Sequence, residues 1–299
     1  MIEKFDSRHS HVYNLFFTAF FMYRATTRPR EGFKGRSSIP RDVLGYWEVI
    51  DKIISQCDVI LEVLDARMPD LSRNDEIEAK IFASGKRLVF VMNKADLVSR
   101  EVLDDDRKRL RKIAECVYVS SKDDYDLKKL KSLIFKDFSE VKNNFGKLRI
   151  GVVGYPNTGK SSLVNALIRK HSAKVSKRAG TTHGVQWMSF GDNALLMDSP
   201  GVIPLSNKDP VREGLLGAKD PERTVNPELV AMKLIEIFVS KNPNALRKFF
   251  GIEFSGDNPD VVIDSVALKN NYLKRGGLPD RQRAIIFILR AWVGGNLRL

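Results

Sequence analysis

Cysteine is nearly absent: Cys57 and Cys116 are the only two in 299 residues. Two thiols this far apart make no metal-ligand spacing. That argues against a zinc module and a disulfide framework, and it fits a reducing compartment. Histidine is as scarce. His9, His11, His171 and His183 fall in no metal-binding pattern, and no Ser/His/Asp arrangement accompanies them. No segment reaches the ~20 consecutive apolar residues of a membrane helix. The one suspicious run, VYNLFFTAFFMY at 12–23, follows Glu3, Lys4, Asp6 and Arg8 and precedes no small-residue cleavage site. It therefore reads as a helix packing on the protein rather than a signal or a stable membrane insertion. Met22, at its end, is an alternative start that would place the run outside the protein. Acidic residues are also in deficit, 37 against 50 Lys and Arg, for a formal net charge of +13. Such an excess favours a polyanionic partner: RNA, DNA or an anionic membrane face.

What is present is organised. No internal repeat or biased tract interrupts the chain. Residues 24–41 (RATTRPREGFKGRSSIPR) form a basic arm, giving an N-terminal extension over 1–41. A helical pattern follows at 42–57, carried by Val43, Leu44, Trp47, Ile50 and Ile54. Strand-like runs at 58–65, 87–92, 116–120 and 148–153 then alternate with helical patterns near 75–84, 100–113 and 124–141. Alternation of this kind predicts βα units and a mostly parallel α/β sheet covered on both faces. Residues 185–190 and 194–197, joined across GDN, predict a hairpin. Beyond 205 the strand signal stops, so the chain divides into an α/β domain over 42–204 and a smaller all-α domain over 205–299.

GYPNTGKS at 154–161 matches GxxxxGK[ST], follows the strand LRIGVV and opens the helix SSLVNALIRK. Gly154 and Gly159 permit a tight turn whose amides face phosphates, and the helix N-terminus adds positive potential. Tyr155, Pro156, Asn157, Thr158 and Ser162 complete the cradle. Lys160 would reach the β/γ phosphates and Ser161 would hold Mg²⁺. DSPG at 198–201 follows the strand ALLM, with Asp198 placed to hold Mg²⁺ through water and Gly201 to offer its amide to the γ-phosphate. Between them AGTTH (179–183) supplies Thr182, or alternatively Thr181, as the second metal ligand. The catalytic set is thus Lys160, Thr182 and Gly201.

NKAD at 93–96 lies upstream of all of this, at the carboxyl end of a hydrophobic strand, where α/β sheets bind ligands. Asp96 would accept the two N–H groups of guanine's Watson–Crick edge. Asn93 would brace the loop, and Lys94 would lie along the base. Ser120, Ser121 and Lys122 make a plausible base-closing loop one βα unit later. The usual GTPase order is therefore rotated, from phosphate loop first to NKxD first. Compact domains often have neighbouring termini, so a circular permutation can preserve the packed site.

With DARMPD (65–70), NKAD, SSK, GYPNTGKSS, GTT and DSPGV in that order, and YLKRGGLPDRQRAIIFILRAW near the end, the chain resembles circularly permuted GTPases of the RbgA/YlqF type over about 42–299. The resemblance implies a P-loop GTPase fold and Mg²⁺-dependent hydrolysis of GTP to GDP and phosphate. It further implies coupling to maturation of the large ribosomal subunit, with that subunit or its rRNA precursor as partner. Val202 stands where many GTPases carry a water-orienting Gln. Slow intrinsic turnover, stimulation by the particle and a K⁺ ion near Asn157 follow as expectations. Ala179 replaces a Pro often found before the switch GT. Arg24–Arg41, 169–178 and the cluster Lys274, Arg275, Arg281 and Arg283 are the candidate RNA contacts. Trp187 and Trp292 fall in apolar patterns expected to be core. The combined expectation is a cytoplasmic, monomeric GTPase; the alternative is a GTP-regulated adaptor for a protein or anionic membrane, with incidental hydrolysis.

Overall fold

The computed structural model describes residues 41–123, 126–136, 146–169, 186–198 and 209–299. The arm before residue 41, Thr181, Thr182, His183, Gly201, Val202 and the basic stretch 170–178 lie outside the described residues. So does the expected domain boundary at 204–205. Residues 41–299 belong to one compact unit.

In chain order the elements are α1 (Arg41–Gln56), β1 (Val59–Asp65), α2 (Pro69–Ser72), α3 (Asp75–Ala83), β2 (Arg87–Asn93), α4 (Arg100–Leu110), β3 (Glu115–Tyr118), α5 (Leu127–Ile134), β4 (Leu148–Val153) and α6 (Lys160–Arg169). Then follow β5 (Gln186–Ser189), β6 (Ala194–Asp198), α7 (Pro210–Leu215), α8 (Pro227–Lys241), α9 (Pro243–Phe250), α10 (Pro259–Lys269) and α11 (Arg281–Val293). The six strands lie in the order β3-β2-β1-β4-β6-β5. All pairings are parallel except β5 with β6, the expected hairpin.

Period two sorts the strand residues between two cores. Ile60, Leu64, Phe90 and Met92 face one side, covered by Ile50, Ile53 and Ile54 of α1, Ile77 and Ile81 of α3, and Leu103 and Leu110 of α4. Leu61, Val63, Val89, Val91, Ile150 and Val152 face the other, covered by Leu127, Leu130 and Ile134 of α5 and Leu163, Val164 and Leu167 of α6. Both faces of β1 are buried, so it reads in sequence as one nearly continuous apolar run.

The chain runs β1, β2, β3 outward, then returns to the other side of β1 for β4. This reversal opens a crevice at the carboxyl ends of β1 and β4, the place where open α/β sheets bind ligands.

After residue 209 a recurrent Asx-Pro pair starts every described α-helix except α11. Pro210, Pro227, Pro243 and Pro259 occupy first-turn positions, where the missing N–H costs nothing. Asp209, Asn242 and Asn258 cap their helices with side-chain oxygens. These helices share a separate core built on Leu234, Phe238, Leu246, Ile263, Val266, Ile288 and Trp292. Trp187 departs from the core expectation: it is 40% exposed. It sits on the edge strand β5, where Met188 takes the inward face and its neighbour must point out.

Candidate functional site

The phosphate loop leaves β4 at Gly154, whose φ of +141° suits glycine. A Cβ there would lie 2.5 Å from the Val63 carbonyl of the neighbouring strand. Gly159 (φ +92°) is equally constrained, since a Cβ would collide with the Asn93 carboxamide. Asn157 also adopts a left-handed conformation, which Asn tolerates better than most residues. Thr158 Oγ1 closes the loop on the Tyr155 carbonyl at 2.9 Å. Lys160 donates to the Gly154 and Tyr155 carbonyls at 2.9 and 2.7 Å. Burial pulls its ammonium down to about 8, with the Asp198 carboxylate acting the other way. Ser161 and Ser162 are exposed at the loop's mouth.

Ser161 Oγ donates to Asp198 Oδ2 at 3.3 Å, so the two predicted metal ligands from β6 and α6 converge. Two hard oxygens at the mouth of a phosphate loop suit Mg²⁺, which takes one or two protein ligands plus phosphate and water. No cluster of three or more His, Cys, Asp or Glu among the described residues offers a rival metal site.

The base side is assembled by Asn93. Its Nδ2 donates to the carbonyls of Thr158 and Gly159 at 3.0 and 3.4 Å, and its Oδ1 accepts the Ser121 N–H at 3.1 Å. One buried side chain thus ties NKAD, the phosphate loop and the 120–122 loop together, 65 residues of sequence apart at the phosphate contact. Backbone bonds from Ala95 N to Val119 O and from Val119 N to Met92 O hold the two base-side loops in step. Asn93, Asp96, Ser121, Lys122 and Gly159 line one cleft of about 250 Å³. That exceeds the ~150 Å³ that takes a benzene ring and suits a bicyclic base. Ser120 lies beneath, wholly buried, its hydroxyl within 3.3 Å of the Asp123 N–H.

Lys94 lines the same cleft and is anchored behind it. Its backbone is left-handed (φ +65°), and its ammonium donates to Asp65 Oδ2 at 2.7 Å. Burial lowers the Lys94 pKa, and the Asp65 carboxylate acts against that fall. Asp65 and Arg67 carry no local chemical signal of their own; only their place in DARMPD marks them. Asn157 is also engaged elsewhere, its Nδ2 donating to the Gly217 carbonyl. Arg212 of α7 stacks over Tyr155 at 4.4 Å, a further contact with the phosphate loop that no local sequence signal marks.

The chain matches the 50S ribosome-binding GTPase family over residues 149–239. A GTP-binding protein of Methanocaldococcus jannaschii is 36% identical over 250 residues, covering 84% of this chain and 65% of that protein. The GTPase grn1 of Schizosaccharomyces pombe is 31% identical, covering 84% of this chain and 60% of the relative. The chain therefore spans somewhat under two thirds of the length of these relatives. In fold it is similar to GNP-bound YlqF from T. maritima, with a TM-score of 0.56 at 22% identity, covering 85% of this chain and 95% of that one. In fold the chain is a circularly permuted P-loop GTPase of the YlqF type. Permutation accounts for the position of NKAD: its strand, β2, precedes the phosphate loop in sequence and sits two strands from β4 in the sheet.

Proposed function

We propose that the protein binds GTP in this crevice, hydrolyses it to GDP and phosphate, and couples that cycle to binding and maturation of the large ribosomal subunit. The observation that carries the nucleotide part is Asn93 bridging the base loop to the phosphate loop in the permuted order. Asp96 accepts guanine's paired N–H donors, which adenine lacks. Ser121 and Lys122 close over the base, and Ser120, buried beneath, braces their loop. The amides of 157–161, Lys160 and the α6 N-terminus cradle the phosphates. Mg²⁺ held by Ser161, Asp198 and Thr182 would neutralise charge developing on the β/γ oxygens. Gly201 offers its amide to the γ-phosphate. Val202 has no group to orient water, so the isolated chain turns over slowly and the particle accelerates it. Asn157 Nδ2 donates to the Gly217 carbonyl, which leaves Oδ1 as the oxygen that would face a K⁺ ion.

The ribosomal part rests on the family match, named for binding the 50S particle, and on the charge of +13. The helical segment 205–299 is its proposed ribosome-binding unit. Asp96→Asn tests the base assignment. It sets a donor against guanine's donors, which costs a few kcal/mol, about 100-fold in GTP affinity, and improves xanthine nucleotide binding. Unchanged GTP affinity would exclude Asp96 as the base reader. Co-sedimentation with large subunits in a non-hydrolysable GTP analogue tests the partner; no sedimentation at low salt would remove it.

A further inference from the structure

The cleft that presents Asp96 and Lys122 has a second side built from the far end of the chain: Val293, Gly294 and Gly295, where α11 ends. Several independent contacts seat that end. Arg67, 2% exposed, donates Nη1 to the Trp292 carbonyl at 2.6 Å, and its guanidinium lies 3.9 Å over the indole ring. Asp65, equally buried, accepts Arg67 Nε and Nη2 at 2.9 and 2.7 Å and Lys94 Nζ at 2.7 Å. Against the burial that would raise it, the Arg67 and Lys94 cations hold the Asp65 carboxyl at about 2. Met68 is buried within the helical core. The Leu71 and Arg73 carbonyls accept Arg212 of α7, both at 2.6 Å. The Leu97 carbonyl, just past NKAD, accepts the Leu299 N–H at 3.1 Å.

One short segment, 65–73, thus touches the NKAD lysine with one residue and the helical segment with four others. Asp65 is the shared member: the carboxylate that fixes Lys94 is the one that fixes Arg67. A buried carboxylate with two cations is stable only while both stay, because removing one partner leaves charge uncompensated in low dielectric. Lys94 also holds a left-handed backbone, which is strained for a residue with a Cβ and needs such anchoring.

We propose that 65–73 is a joint giving the guanine pocket its second wall, the end of α11 and the tail after it, so that base binding and seating of the helical segment strengthen one another. The proposal rests on the guanine-nucleotide reading above. Asp65 and Arg67 are positioning residues acting through Lys94 and Trp292. Linkage makes the effect reciprocal: whatever pulls α11 away loosens the nucleotide, and the nucleotide stiffens the tail.

The experiment is amide hydrogen exchange on the full chain with and without GDP and Mg²⁺, beside equilibrium GDP binding. GDP should slow exchange over 291–299 in the wild type. Arg67→Lys keeps the charge but loses the forked bonds and the stacking. It should weaken GDP about 10-fold and abolish the nucleotide-dependent protection of the tail. Gly294 is exposed with an ordinary helical backbone, and a Cβ there comes 3.0 Å from the Arg290 carbonyl, so Gly294→Gln should fold with a small loss of Tm and weaken GDP by crowding the pocket. This second variant keeps the proposal testable if Arg67→Lys fails to fold. GDP binding by the wild type with tail exchange unaltered would overturn the joint, as would wild-type GDP affinity in both variants. Absence of GDP binding by the wild type would instead overturn the nucleotide reading on which it rests.

Discussion

Gly159 shows how little room a single position leaves. Its φ of +92° is one that other residues rarely adopt, and any Cβ meets the amide of Asn93 that joins base loop to phosphate loop. Gly159→Ala therefore loses twice, through backbone strain of about 1–2 kcal/mol and through displacement of Asn93. Nucleotide affinity should drop by more than 10-fold, with a lower Tm; a titration with fluorescent GDP and a thermal melt read both. The cysteines report on the same scale. Burial pushes the Cys57 thiol up to about 12, with Asp58 adding to it, and burial does the same for Cys116. Only about one thiol in ten thousand is ionised at pH 8 at that value, so iodoacetamide should modify neither in the folded protein and both on unfolding. Rapid native alkylation would contradict the burial of β3 and of the end of α1.

At the scale of elements, Glu62 links β1 to α3. It is wholly buried on the central strand, and its Oε1 accepts the Asn74 N–H at 2.8 Å. Asn74 in turn caps α3 through the Glu76 and Ile77 amides. Burial, then the nearby Glu78 carboxylate, raises the Glu62 pKa well above its ordinary value of 4.5. A raised folded value means the native state holds the proton after the unfolded chain has released it. The stabilisation is complete below the unfolded pKa and is lost as pH rises through the folded one. Glu62→Gln keeps the acceptor and removes the titration. It should match wild type near pH 4 and melt roughly 2–4 °C higher at pH 8, the response of a domain this size to about 1 kcal/mol. Equal melting at both pH values would show that Glu62 holds no extra proton.

Elements of this kind were largely legible in the sequence, because β1, β2 and β4 are apolar runs and the phosphate loop sits between strand and helix as its chemistry requires. Others were not. α7 is six residues with a glycine inside, too short for a helical period to show. Arg67 and Trp292 are 225 residues apart, so their bond exists only through the packing of two cores and leaves no local pattern. The Lys94–Asp65 ion pair is 29 residues apart in sequence, so DARMPD marks Asp65 but no local pattern pairs it with Lys94.

Across the whole molecule, the excess of 13 positive charges has to be placed. Arg281, expected to track phosphates, is instead held by Asp260, Asp264 and Glu228, so its charge is already answered within the helical core's rim. Arg283 lies over the Tyr272 ring at 4.6 Å, and Lys274 and Arg275 are exposed on the turn at Gly276–Gly277. Exposed Leu273 and Leu278 flank that turn, joined by the Leu273–Pro279 bridge that shapes it. If this turn meets ribosomal RNA, each phosphate contact releases counterions and contributes roughly 0.7–0.9 log units of affinity per tenfold change in salt. Replacing Lys274, Arg275 and Arg283 with Ala should then flatten the salt dependence of large-subunit sedimentation by about two to three units of slope. GDP affinity should stay unchanged, since none of the three lines the nucleotide cleft. Arg281→Ala should behave oppositely, leaving the slope alone while lowering Tm, because it strands three carboxylates. A triple variant with the wild-type slope would move the RNA contact elsewhere on the basic surface, whereas a lowered slope in Arg281→Ala alone would show that its acidic partners release it on the ribosome.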